Sequence, residues 1–123
     1  MLVLLALLVA MADAVAFTPT YGRYCGGGHT EADKRIPGID KMDAACRIHD
    51  ICYRDNGYSQ CACDTVLLAA LRQPNLCDGA SNQNFCREYQ EGAKILFSAM
   101  PCRCPVHIMG HSFSLFRGIG GKC

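Results

Sequence analysis

The chain has 123 residues, with 12 Lys and Arg against 11 Asp and Glu, ten cysteines and a formal net charge of +1 at pH 7. That length is one domain's worth of sequence. The near-neutral balance and the absence of any long basic run argue against a nucleic-acid partner, because binding nucleic acid needs clustered cations.

The chain opens on an unbroken apolar run from Met1 to Met11, and Ala12-Asp13-Ala14-Val15-Ala16 follows with Ala14-x-Ala16 as a small-residue cleavage site. This layout predicts a secretory signal peptide over 1–16 and a mature domain over 17–123. No Lys or Arg precedes the apolar run, and the rival reading is a buried N-terminal helix. No other segment is long and apolar enough to be a transmembrane span. All ten cysteines fall after residue 16. An even count in a short secreted chain predicts a disulfide framework of up to five bridges and an extracellular location. A domain this small has a modest core, and cross-links lower the entropy of its unfolded chain.

Phe17 to Ile39 is rich in Gly, Pro and Thr and reads as a loop, with Gly26-Gly27-Gly28 at its centre. Asp40 is an expected helix N-cap and Asp43 a first-turn acid, favoured there by the helix dipole. This helix is predicted to reach about Asn56, with Gly57 just past its end. Met42, Cys46, His49 and Tyr53 then fall on one face. A turn at Gly57-Tyr58-Ser59 leads to a second helix over about Gln60–Arg72, with Val66, Leu67, Ala70 and Leu71 apolar; Pro74 closes it. After a loop at Asp78–Asn82, a third helix is predicted from about Asn84 to Met100, carrying Phe85, Tyr89, Ala93, Leu96 and Met100. Pro101 stops it. The Gly-rich tail from Cys102 to Cys123 has no clear element.

Two segments carry chemistry. Tyr21-Gly22-Arg23-Tyr24-Cys25-Gly26-Gly27-Gly28 is a glycine-rich loop with a cysteine inside it. Asp43 to Tyr53 is a helix with an adjacent His49-Asp50 pair between Cys46 and Cys52. Glycine frees the backbone to aim several carbonyl oxygens at one centre, and calcium is a hard cation that takes such oxygens together with a carboxylate. A Cys25–Cys46 bridge could staple the loop one turn before His49. Asp50 would then reach the loop, while His49, about 100° round the helix, faces a cleft. A Cys52–Cys63 bridge would hold the two helices side by side. That places Asp64, in Cys61-Ala62-Cys63-Asp64, where it can orient His49.

The elements Tyr24-Cys25-Gly26-Gly27-Gly28, Asp43-x-x-Cys46-x-x-His49-Asp50-x-Cys52-Tyr53 and Cys61-x-Cys63-Asp64 together resemble secreted phospholipase A2. The resemblance covers Tyr21 to Asp64, and its strength lies in three motifs in the right order. It implies a mostly α, small disulfide-rich domain with two antiparallel helices and a glycine-rich calcium-binding loop. It implies Ca2+ held by backbone oxygens of Tyr24, Gly26 and Gly28 and by both carboxylate oxygens of Asp50. His49 would be the general base that activates water for attack on the sn-2 ester of a phospholipid, at a membrane or micelle surface. Asp64 would orient His49, Tyr53 would support Asp64, and calcium with the Gly26 N–H would stabilise the oxyanion. Two departures stand out. Arg23 and Ala45 occupy positions where many members carry cysteine. The chain between Tyr53 and Cys61 is too short for the β-hairpin of the larger forms, so the style is that of the compact bee-venom, plant or fungal types.

Other readings compete locally. Cys102-x-Cys104-x-x-His107-x-x-x-His111 has the look of a zinc site, against which stands the expectation that its cysteines form disulfides. His29 and the run Glu31–Arg35 read as solvated surface. Phe113, Leu115, Phe116 and Ile119 read first as core packing. The weaker alternative is contact with a bilayer, alongside Ile36 and Ile39. The rival functions are a non-catalytic binding protein or toxin on the same fold, and a purely structural cysteine-rich module. Retention of Asp50 beside His49 argues against the first, and the His49, Asp50, Asp64 constellation against the second.

Overall fold

The computed structural model describes residues 19–28 and 30–123. The expected signal peptide over 1–16 and the reading of His29 lie outside the described residues. Within them, three helices are followed by two strands: α1 Lys41–Asn56, α2 Cys61–Leu71, α3 Gln83–Ala99, β1 Pro101–Ile108 and β2 His111–Ile119.

The helix ends follow local chemistry. The Asp40 side chain accepts the Asp43 N–H and caps α1, while Gly57, at φ 103°, ends it by donating its N–H to the Tyr53 carbonyl. Asn82 caps α3 by accepting the Phe85 N–H at 3.0 Å. The last turn of α2 leaves carbonyls without helical partners. The buried Gln90 of α3 serves that end, its amide donating to the carbonyls of Leu71 at 2.9 Å and Gln73 at 2.8 Å.

Five disulfides take up all ten cysteines: Cys25–Cys46, Cys52–Cys63, Cys61–Cys102, Cys77–Cys86 and Cys104–Cys123. The first two are the pairings expected from the motif spacing; the other three were open. Cys52–Cys63 lies close to the α1–α2 turn and the contact between His49 and Asp64 lies one turn further from it, so the two helices run antiparallel. The main core gathers Tyr24, Met42, Leu67, Leu68, Leu71 and Leu76 with the sulfurs of Cys25, Cys46, Cys77 and Cys86, and Tyr89, Ala93 and Phe97 of α3 pack on it. A second small cluster consists of Cys61, Cys102 and Cys104. Much of the interior is therefore sulfur.

The tail is the main addition to the sequence reading. β1 and β2 form an antiparallel hairpin closed by Met109 and Gly110, both at positive φ (51° and 80°), as a type I′ turn requires. Two expectations are corrected here. Phe113, Leu115, Phe116 and Ile119 are 49–62% exposed and do not pack into the core, because no described residue covers the outer part of the hairpin. Cys102 and Cys104 are joined to Cys61 and Cys123, so neither offers a thiolate to zinc. The sulfurs of Cys61, Cys104 and Cys123 lie close together, but as two disulfides packed against each other. Among the described residues no helix is long and apolar enough to cross a membrane.

Candidate active site

The glycine loop is hung from the first turn of α1. Tyr21 and Cys25 exchange backbone hydrogen bonds of 3.0 and 3.1 Å, which closes the loop into a tight turn. The fully buried carboxylate of Asp43 accepts the backbone N–H groups of Arg23, Tyr24 and Ile39 at 2.8–3.0 Å. Cys25–Cys46 fixes the same loop one turn further along. At Gly26 the backbone takes φ 121°, and an added Cβ would stand 2.9 Å from the Thr20 side chain. Both the conformation and the space call for glycine there.

The loop and all three helices enclose a cleft of about 570 Å³. Its polar side is made by Tyr24, Gly26, Gly27, Gly28, Thr30, His49, Asp50 and Tyr53, and its apolar side by Leu67, Leu71, Phe85, Tyr89, Ala93, Leu96 and Phe97. Asp64 stands behind His49 and is fully buried. Every residue expected to serve catalysis or calcium binding thus lies in or directly behind one cleft.

His49 Nε2 lies 2.8 Å from Asp64 Oδ1, and the Tyr53 hydroxyl donates to the same oxygen. Burial, then the Asp64 hydrogen bond and charge, push the Tyr53 hydroxyl well above the ordinary phenol range. Tyr53 is therefore a donor throughout the working pH range. The His49 ring is also held by aromatic contacts: its centroid is 4.1 Å, tilted, from that of Tyr53 and 5.2 Å, edge-on, from that of Phe97. Since a carboxylate only accepts, Nε2 is assigned as the N–H, which leaves Nδ1 with its lone pair. The other oxygen, Asp64 Oδ2, is buried with no hydrogen-bond partner among the described residues.

Asp50 is the second carboxylate of the site. The Thr30 hydroxyl donates to it at 2.5 Å, and Lys34 Nζ donates to the Thr30 hydroxyl at 2.6 Å. Burial raises the Asp50 carboxyl above its ordinary pKa, opposed by the Thr30 hydrogen bond and by the Lys34 charge. Burial, with the charges of Asp50 and Asp43, also pushes Tyr89 up to about 12.

Several contributors were not singled out from the sequence. Asp43 had a sufficient local explanation as a first-turn acid. Lys34 belonged to a charged run read as solvated. It instead sits 5.3 Å from the centre of the Tyr24 ring and donates to Thr30 and the Glu31 carbonyl, whereas Asp33 and Arg35 do form an exposed pair. Phe97 had a usable signal, because it continues the four-residue spacing of Phe85, Tyr89 and Ala93 along α3.

A stretch of 43 residues, 35% of this chain, is 44% identical to phospholipase A2-beta of Arabidopsis thaliana. The match covers 29% of that relative's length. It supports a relationship to phospholipase A2, as does the small disulfide-rich helical architecture. No protein-family model matches the chain, and no solved structure matches it.

Proposed function

We propose that this chain is a secreted, calcium-dependent phospholipase A2, which hydrolyses the sn-2 ester of a glycerophospholipid to a fatty acid and a lysophospholipid. The observation that carries the reading is the His49–Asp64 pair at 2.8 Å, set in the wall of a cleft that also holds Asp50 and the glycine loop. Partial identity to a plant phospholipase A2 supports it independently. The disulfide content suits an oxidising, extracellular compartment.

In this scheme Asp64 accepts the Nε2–H of His49, fixing the tautomer and stabilising the imidazolium that forms. His49 Nδ1 removes a proton from water, whose oxygen adds to the ester carbonyl. The C–O bond to glycerol then breaks, and the imidazolium returns its proton to the departing alkoxide. Tyr53 holds Asp64 from the other side. The Gly26 N–H donates to the developing oxyanion. The apolar side of the cleft accepts the acyl chain and excludes water from the ester.

The donor set suits a hard cation. Asp50 is a half-buried carboxylate with no ion-pair partner among the described residues, and it shares the cleft with a loop whose backbone is free of side chains at Gly26, Gly27 and Gly28. Tyr24, Gly26 and Gly28 would hold calcium through backbone oxygens, with Asp50 supplying the carboxylate. Bound there, calcium supplies positive charge for the oxyanion and for the substrate phosphate.

The test is fatty-acid release from phospholipid vesicles, with calcium and with a chelator, for the wild type and for His49→Gln. Calcium-dependent release that the substitution abolishes is the expected result. A folded, calcium-loaded wild type that releases no fatty acid would sink the proposal in favour of a non-catalytic binding protein.

A further inference from the structure

The hairpin presents one apolar face that no other described residue covers. Side chains alternate along a strand, and cross-strand partners share a face. The register pairs Cys104 with Leu115, Val106 with Phe113 and Ile108 with His111, so these lie together, while Pro105, His107, Ser112 and Ser114 occupy the other side. That other side is engaged with the body of the protein or with itself: Gln60 of the α1–α2 turn donates to Ser114 at 2.9 Å, and Ser112 bonds His107 at 2.8 Å. Phe116 belongs with it too, packed 4.4 Å under the Arg103 guanidinium. The apolar face is anchored at its base by the buried Cys104 and becomes uncovered toward the tip. There Ile108 is 52%, Phe113 49%, Leu115 49% and Met109 94% exposed.

Charge points to what covers it. All 11 acidic side chains lie before residue 92, whereas Arg103, Arg117 and Lys122 follow it, and Lys94 of α3 is paired with Glu91 at 2.8 Å. The hairpin is therefore apolar on one face, cationic at its base and free of side-chain carboxylates. A second copy docked on this face would bring like charges together, while an anionic headgroup layer would neutralise them. The hairpin also continues directly from Met100, which lines the His49 cleft.

We propose that the outer face of the β1–β2 hairpin, with Val106, Ile108, Phe113 and Leu115 on it and Met109 at its tip, docks on an anionic lipid bilayer. The apolar side chains enter the boundary between headgroups and acyl chains, and the cations beneath them meet the headgroups. This deepens the hydrolase reading by naming the surface at which the cleft would work, yet docking needs no turnover and is measured without it.

The experiment is vesicle flotation with chelator present, using His49→Gln as the background so that hydrolysis plays no part. Vesicles of phosphatidylcholine alone are compared with vesicles containing phosphatidylglycerol. Binding to the anionic vesicles is expected, weakened by about tenfold or more by Met109→Ser with Phe113→Ser. It should be weakened also by Arg117→Gln with Lys122→Gln, which removes charge and leaves every apolar residue of the face in place, and by high salt. The Met109→Ser chain with His49 intact should hydrolyse a monomeric short-chain phospholipid as fast as wild type but vesicles more slowly. Unchanged flotation of folded Met109→Ser/Phe113→Ser protein overturns the proposal, as does equal binding to both vesicle types. A concentration-dependent dimer that the same substitutions disperse would overturn it in favour of a second copy.

Discussion

The carboxylate of Asp43 accepts the backbone N–H of Tyr24 at 2.8 Å, so the position of the glycine loop is set by the first turn of α1. The N–H groups of Arg23 and Ile39 converge on the same carboxylate. At Gly22, with φ 57°, an added Cβ would stand only 2.4 Å from the carboxyl carbon, which explains glycine at the point where the loop crosses it. Asp43→Ala leaves three backbone donors without their acceptor. A buried donor without a partner costs about 1–3 kcal/mol, so a loss of about 3 kcal/mol or more is expected in denaturant unfolding with the disulfides intact. Calcium affinity should fall with it, because the loop loses its anchor. A stability within 1 kcal/mol of wild type, on the order of an ordinary surface change, would refute the anchoring role.

Much of this site was legible because its signals are local. Asp40 and Gly57 bracket α1 as capping chemistry demands, and the spacing of Cys25, Cys46, Cys52 and Cys63 anticipated two of the bridges. Asp43 shows the limit. An acid in a first turn already satisfies the helix dipole, so nothing in the sequence asks for a partner twenty residues back. The hairpin was hidden for a different reason. Its turn is Met109-Gly110 rather than the usual Asn-Gly, and β1 carries Pro101 and Pro105, residues that weaken a strand reading. The apolar residues of β2 invited a core assignment, since burial is their default, but no other described element lies above them.

Tyr53 and Asp64 can be separated by their effects. Tyr53→Phe removes one donor from Asp64 Oδ1 and leaves the His49 bond in place. Activity should fall by less than about tenfold, with a stability loss of about 1 kcal/mol. Asp64→Asn keeps the shape but can stabilise the wrong tautomer of His49 and cannot stabilise an imidazolium, so kcat should fall by about two orders of magnitude or more. Steady-state kinetics on both variants decide this, and equal losses would show that Tyr53 does more than support Asp64.

Asp50 carries a pH signature. Burial raises its carboxyl above the ordinary 3.8, so the folded chain binds that proton more tightly than the unfolded chain does. In the absence of calcium, its contribution to stability therefore declines as pH rises through the window above 3.8 and stays unfavourable at neutral pH. Asp50→Asn removes the charge while an amide oxygen can still accept from Thr30. Thermal unfolding in chelator should show Asp50→Asn more stable than wild type at pH 7 and no more stable below the window. In the wild type, calcium affinity should rise with pH across the same window, because the proposed ligand is the carboxylate. An Asp50→Asn protein that still releases fatty acid in a calcium-dependent way would remove Asp50 from the proposed ligand set.

The Cys52–Cys63 bridge links α1 to α2 immediately beside Asp64 and one turn from His49, whereas Cys77–Cys86 joins the approach to α3 with its first turns. Their sequence separations are similar, 11 and 9 residues, so chain entropy assigns them similar stabilisation, about 3 kcal/mol each. Their effects on chemistry should differ. Paired Cys→Ala replacement at 52 and 63 frees the two helices to shift where the His49–Asp64 hydrogen bond spans them, and a catalytic contact tolerates little displacement. The replacement at 77 and 86 leaves that junction bridged. At a temperature where both variants are fully folded by circular dichroism, kcat should drop at least about tenfold for the first and stay within about twofold for the second. Equal kcat values would mean that core packing around Leu67 and Leu68 alone holds the pair in register, and that the bridge serves stability only.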